Sequence, residues 1–215
     1  MKASDFPSLP RTFYDRHPAL VAPDLLGQLL VRENSGQLCG GRIVEVEAYL
    51  SQRDSACHAN RGPTRKNAAM FGPPGHAYVY SIHARWCLNV VTEPPGTASA
   101  ILIRAIEPLW GLETMQSRRG LKSVLDLCRG PARLCQSLDV AKTFDGWDLT
   151  LGRQLWIAAD LTPSTSPISI RKSRRVGVTS AKTRLLRFFI MDSPFVSGAR
   201  RLNHPRTKLN RSPKH

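Results

Sequence analysis

Residues 41–50 read GRIVEVEAYL, the clearest strand in the chain. Apolar and polar residues alternate over a run rich in Val and Ile, the pattern of a β-strand. Successive side chains leave a strand on opposite faces. Val44, Val46, Ala48 and Leu50 therefore fall on one side, and Ile43, Glu45, Glu47 and Tyr49 on the other. Glu47 and Tyr49 share a face, roughly 7 Å apart at the strand rise. Two readings are open on these residues alone. One is an edge strand with a solvated acidic face. The other is a catalytic carboxylate beside a stacking platform.

Upstream, residues 1–10 carry Pro7 and Pro10 with no periodicity and read as a flexible arm. PALVAPDLL (18–26) reads as a short helix limited or kinked by Pro23, and residues 28–32 as a strand turning at Ser35-Gly36 into the opening stretch. Downstream, SQRDSACHANRGPTRKN is a polar loop whose Arg61, Arg65 and Lys66 suit either a solvated surface or contact with phosphates. Residues 78–91 form a β-hairpin by alternation, with Tyr78, Tyr80 and Ile82 on one face. Its tip holds His83, Arg85 and Trp86, where Gly, Asn or Asp are usual. Such a tip either wedges into a nucleic-acid stack or folds back on the core. ASAILIRAIEPL (98–109) is an apolar strand interrupted by Arg104, which is costly unless it is paired or belongs to a site. Residues 112–127 read as one helix, and Gly130-Pro131 opens another. Residues 155–161 and 186–191 read as strands. Between them, Arg171, Lys172, Arg174 and Arg175 form the densest basic cluster outside the tail.

The 215 residues carry 31 Lys and Arg against 16 acids, a net +15. Six of these charges lie in residues 199–215 with no acid, leaving +9 (fifteen less six) on the remainder. A polyanion partner follows, nucleic acid above all. No apolar run approaches a membrane span, and the N-terminus lacks a signal-peptide core. Five cysteines without a CxxC pair suggest reduced thiols in a cytoplasm, or in a nucleus if the source is eukaryotic. Cys57-His58 has no second pair at metal spacing, so no metal is expected.

The blocks GRIVEVEAYL, DSACH, NAAMFGPPGHAYVY, CLNVVTE, ILIRAIEPL, LCRGPARLCQSL and RRVGV occur in that order. Together they resemble the alkyladenine (3-methyladenine) DNA glycosylases, over about residues 11–197. The resemblance implies an α+β fold: one compact domain with a curved, mainly antiparallel sheet, surrounding helices and a protruding hairpin. The domain would span 11–197, followed by a basic, disordered tail at 198–215. It implies Glu47 as the carboxylate that activates water, with Arg104 near that water. Tyr49, His58, Tyr80 and Asn89 would line the base pocket. His83 falls at the intercalating position, but HARWCLN is one residue shorter than the family pattern, which leaves Arg85 or Trp86 as alternatives. Arg61, Arg65, Lys66, Arg171, Arg174 and Arg175 are candidates for the DNA backbone.

The implied activity is removal of alkylated or deaminated purines from double-stranded DNA by a monomeric enzyme with no cofactor and no membrane attachment. A buried glycosidic bond must leave the stack to be cut, and basic charge supplies phosphate affinity. A base alkylated on a ring nitrogen is cationic, so aromatic rings hold it and it departs with little acid assistance. No lysine lies in the blocks that form the pocket, so a monofunctional glycosylase is expected. A non-catalytic damaged-DNA binder would have no use for Glu47, Tyr49 and Arg104 together. A basic RNA-associated factor would explain the charge but not the strand. Glu45 has no role on this reading, and Glu45→Gln is expected to matter far less than Glu47→Gln.

Overall fold

The computed structural model describes residues 2–161 and 168–198, together with Asn203. Two short helices come first, α1 (Arg11–Tyr14) and α2 (Pro18–Leu25). Five strands follow: β1 (Leu29–Asn34), β2 (Gln37–Tyr49), β3 (Ala77–Ile82), β4 (Arg85–Thr92) and β5 (Ser99–Trp110). Helices α3 (Leu112–Arg119) and α4 (Pro131–Leu138) precede the short strands β6 (Leu155–Ala158), β7 (Ile170–Ser173) and β8 (Arg187–Ile190). All eight strands belong to one sheet, ordered β3-β4-β5-β2-β1-β6, with β8 on β2 and β7 on β8. Every pairing is antiparallel. The fold is thus the mixed α+β architecture with a mainly antiparallel sheet that the sequence suggests.

The opening stretch is the middle of this sheet. β5 runs along one side of β2. On its other side β1 pairs with residues 37–42, and β8 then takes over at Glu45–Glu47. An edge strand with a solvated acidic face is therefore ruled out, and Glu45 and Glu47 have no exposed surface.

Simple alternation also fails along β2, for a specific reason. Ile43 faces Ile106 and Glu45 faces Ala105, so Val44 is an extra residue on β2. Val46 then faces Ile103, so Arg104 is an extra residue on β5. These two bulges shift the phase of both strands. Ile43 joins Val46 and Ala48 in the main core, while Val44 packs with Ala105, Phe189 and Val196 on the other face. Bulges re-aim side chains, and here the re-aimed residue is Arg104.

The main core lies between the sheet and α2, α3 and α4, which contribute Val21, Leu25, Met115, Leu134 and Leu138. A smaller cluster of Cys57, Met70, Tyr78, Val91 and Ala100 supports Tyr49 and Tyr80. All five cysteines are buried and unpaired. Among the described residues, no helix is long and apolar enough to cross a membrane.

Three local expectations change. Residues 112–127 are not one helix. α3 stops at Gly120, whose left-handed backbone (φ 62°) caps it, and a 3-10 turn spans Val124–Asp126. The N-terminal ten residues are packed from Phe6 onward. Phe6 stacks on Trp110, its carbonyl accepts from Trp156 Nε1, and Leu9 is buried. Part of the basic cluster is a strand, since β7 covers Ile170–Ser173. The tail expected from 198 onward lies outside the described residues, apart from Gly198 and Asn203.

Gly41 sits at the first irregularity of the β2–β5 pair, where a Cβ would overlap the Glu107 carbonyl oxygen. Gly41→Ala should cost about 1–3 kcal/mol as an overpacking change. At this chain size each kcal/mol lowers Tm by about 2–4 °C, and a thermal melt identical to wild type would contradict the register.

Candidate active site

Four buried charges meet where the two bulges adjoin β8. Arg104 Nε donates to Glu45 Oε1 at 2.9 Å, and its Nη1 lies 3.2 Å from Glu47 Oε2. Arg187 Nε donates to the same Glu45 oxygen at 2.7 Å. Two carboxylates thus face two guanidiniums, which is how buried charge is tolerated. Burial works against the Arg104 charge, but Glu47 and Glu45 outweigh it and raise its pKa further.

Glu47 accepts two hydrogen bonds, from Val176 N–H to Oε1 at 2.7 Å and from Tyr49 OH to Oε2 at 2.9 Å, and Arg104 Nη1 lies against Oε2 at 3.2 Å as an ion pair. A carboxylate offers about four acceptor sites, so about one is left for a water. Tyr49, Arg104 and Val176 line a cleft of about 610 Å³, together with His58, Tyr80 and Ile82. Glu47 lies immediately behind that wall.

Tyr49 is held from behind. The Arg175 guanidinium stacks on its ring at 4.5 Å, and Arg175 makes a bidentate pair with Asp54 at 2.6 and 2.7 Å. Expected at the DNA backbone, Arg175 is instead only 5% exposed with its charge matched by Asp54, so no phosphate reaches it. Burial raises the Asp54 pKa, but Arg175 and the Leu50 and Ala56 N–H groups more than offset this and hold it below the usual carboxylate range. Burial, and then the contact with Glu47, push the Tyr49 phenol pKa well above its ordinary value and keep it protonated.

Across the cleft, Tyr78 and Tyr80 stack at 5.3 Å, and His58 meets Tyr80 edge-on at 4.4 Å. His58 Nδ1 lies 2.9 Å from Tyr78 OH. Burial pulls the imidazole below its ordinary range, so the ring is neutral at neutral pH. Its loop is pinned by Asn67, whose amide donates to the His58 and Gly62 carbonyls at 3.0 and 3.1 Å. Asn89 is buried beneath, donating to the Tyr78 carbonyl at 3.0 Å. It lines an inner recess of about 20 Å³ with Tyr49, His58 and Tyr80. That is room for one water rather than a base ring.

The structure therefore brings Glu47, Arg104, Tyr49, His58, Tyr80 and Asn89 together. Arg61 lines the same cleft, and Arg65 and Lys66 are exposed on the loop beyond it. Arg174 is exposed, and Arg171 is half-buried. His83 and Ala84 form the hairpin turn, both left-handed (φ 47° and 59°), the type I′ conformation that matches strand twist. Trp86 packs toward the main core, on the face of β4 away from the cleft. Ile82, half exposed, is the hairpin side chain on the cleft side.

Sequence reasoning missed Glu45, Asp54, Asn67 and Arg187. Arg187 carried a usable signal, an arginine in an apolar strand, the same signal that singled out Arg104. Glu45 is no inert neighbour. It holds both arginines, and its Oε2 accepts the Ser197 N–H at 2.6 Å. Among the described residues, no group of three His, Cys, Asp or Glu could hold a metal ion.

The chain matches the family model described as methylpurine-DNA glycosylase over residues 12–194. It is 45% identical over 190 residues to a protein of Carboxydothermus hydrogenoformans, covering 88% of this chain and 98% of that one. A protein of Methanoculleus marisnigri is 44% identical over 191 residues, covering 88% and 98%. One of Rhodopirellula baltica is 44% identical over 196 residues, covering 89% and 83%. All three are provisionally named 3-methyladenine DNA glycosylases.

Two outcomes follow. Glu45→Gln leaves Arg104 and Arg187 without a shared anion and should destabilise the fold by about 3–5 kcal/mol in chemical denaturation; a loss under about 1 kcal/mol would contradict the buried cluster. The Asp54 contribution is full above the ordinary aspartate range near ~3.9 and is lost as pH falls below it through the lowered native value. Wild-type stability should therefore fall more steeply in acid than that of Asp54→Asn, and parallel pH curves would exclude that role.

Proposed function

The chain belongs to the methylpurine-DNA glycosylase family, and we propose that it releases alkylated or deaminated purines from duplex DNA by hydrolysis, as a monomer that leaves an abasic site. The observation that carries this reading is the setting of Glu47, hydrogen-bonded by Val176 N–H and Tyr49 OH and ion-paired with Arg104, immediately behind an aromatic-lined cleft.

The nucleotide must leave the stack for its glycosidic bond to be reached, at a cost of a few kcal/mol. The cleft of about 610 Å³ receives the base. Tyr49, Tyr80 and the neutral His58 present electron-rich rings to it, which suits 3-methyladenine and 7-methylguanine because both are cationic. Hypoxanthine and ethenoadenine are held by stacking alone. Asn89 closes the floor of the pocket and restricts which exocyclic groups fit. Glu47 takes a proton from the attacking water and opposes the positive charge that develops on the sugar. Arg104 holds Glu47 in place through the contact of its Nη1 with Oε2 at 3.2 Å. Cleavage of the C1′–N bond sends its electron pair to the base, the water oxygen bonds to C1′, and its proton passes to Glu47. The cleft lining contains no lysine among the described residues, which fits a hydrolytic step without a Schiff base. A non-catalytic damage binder would need the aromatic cleft but not the carboxylate behind it.

The hairpin tip supplies the wedge that fills the gap. Ile82 and His83 lie at the tip, with Ile82 on the cleft side, whereas Trp86 faces the other way. The wedge role is therefore assigned to Ile82 and His83 rather than to Trp86.

Glu47→Gln should lower single-turnover release of 7-methylguanine by about 10²–10⁴-fold, the range for loss of a general base, while duplex binding is retained. Release at the wild-type rate would remove Glu47 from the mechanism. With 2-aminopurine opposite the lesion as a reporter, Ile82→Ala and His83→Ala should each reduce flipping more than Trp86→Phe. The reverse order would overturn the wedge assignment.

A further inference from the structure

A second cavity, of about 660 Å³, lies on the other side of the hairpin. Four arginines line it, Arg85, Arg118, Arg119 and Arg133, against one carboxylate, Asp139, with the half-buried Trp86 at its side. Chain neighbours are divided between the two cavities. Ile82 and Pro131 line the base cleft, while Ala84, Arg85, Ala132 and Arg133 line this groove. The hairpin tip and the start of α4 are therefore the ridge that separates them.

The positive charge of the groove is only partly matched. Arg133 lies 3.4 Å from Asp126, a carboxylate that Arg129 also approaches at 3.9 Å. Asp139 sits 4.0 Å from Arg32. Arg118 is fixed by donating to the Ser137 carbonyl at 3.0 Å, and Arg119 donates to the Gln136 side-chain oxygen. Among the described residues, neither Arg85 nor Arg119 makes an ion pair, and Arg119 Nε is buried without a hydrogen-bond partner. Burial, then the nearby Arg133 and Arg85 guanidiniums, pull the Arg119 pKa down despite the opposing influence of Cys128 and Asp126. An anion seated here would relieve that mutual repulsion.

We propose that this groove is a phosphate-binding track for the DNA strand complementary to the one whose base enters the cleft. The inference rests on the glycosylase reading above, because it needs a duplex parted by the hairpin. A wedge that fills the gap left by an extruded base stands between the two strands, so a cationic groove on its far side is placed to hold the second one. Phosphate contacts fix register without reading sequence, and arginines serve that purpose.

The test uses Arg85→Gln/Arg133→Gln, two exposed positions outside the base cleft. Binding to a 20-bp duplex carrying one uncleavable 2′-fluoro lesion nucleotide, and to each of its single strands, is measured over a range of salt. Against wild type, the double variant should show a duplex slope of log K on log[salt] shallower by about two, near 0.9 for each lost phosphate contact. Duplex affinity should fall several-fold, and excision from a damaged single strand should be unchanged. Methylphosphonates in the complementary strand should reproduce the loss in wild type and add nothing in the variant. An unchanged duplex slope overturns the proposal, as does an equal loss on the single strand carrying the lesion or an additive methylphosphonate effect. Duplex binding needs no excision. A wild-type protein that releases no base would defeat the glycosylase reading while leaving this slope readable.

Discussion

A guanidinium held between two fully buried carboxylates sets the terms for the rest of this structure. Arg104 reaches Glu45 at 2.9 Å and Glu47 at 3.2 Å, and Arg187 completes the set. Such clusters are poor value as stabilising devices, since well-packed apolar residues of the same volume often do as well or better. Their use lies in fixing charge at a defined place. Here that place is the back wall of a cleft, where the proposed hydrolysis needs a carboxylate.

The backbone is shaped around that cluster. One extra residue on each of the two central strands, Val44 and Arg104, turns the arginine toward both glutamates. β8 covers the other side of β2, so the carboxylates stay buried, and Ser197 closes the cluster through its N–H. A second buried pair, Arg175 with Asp54, holds Tyr49 from behind. The aromatic wall is thus positioned by ionic contacts that lie outside the cleft. Tyr78 and Asn67 do the same for His58 on the opposite wall.

Much of this was legible in the sequence, for reasons that can be located. Strand alternation located β2 and β3, and a continuous apolar run broken only by Arg104 located β5. An arginine in an apolar strand marked Arg104, because burial of that charge demands a partner. What pattern could not carry was contact between distant segments. The partner switch on β2 depends on β8, more than a hundred residues away, so alternation alone left a solvated acidic edge open for Glu45 and Glu47. The phase shift at Val44 and Arg104 leaves no local mark, since a bulge is defined by the opposing strand. Arg175 read as a surface cation because its partner, Asp54, lies in another loop. The false helix across Gly120 has a local cause: the left-handed cap was present in the sequence but outweighed by the residues around it.

The account stands or falls on whether Arg104 acts through Glu47. A double-mutant cycle on single-turnover release of 7-methylguanine measures this directly, using Glu47→Gln, Arg104→Gln and the combined variant, each checked for folding by circular dichroism. If the two residues work as a unit, the combined variant should lose little more activity than Glu47→Gln alone. If the two losses multiply, Arg104 contributes independently of the carboxylate and the central claim is wrong.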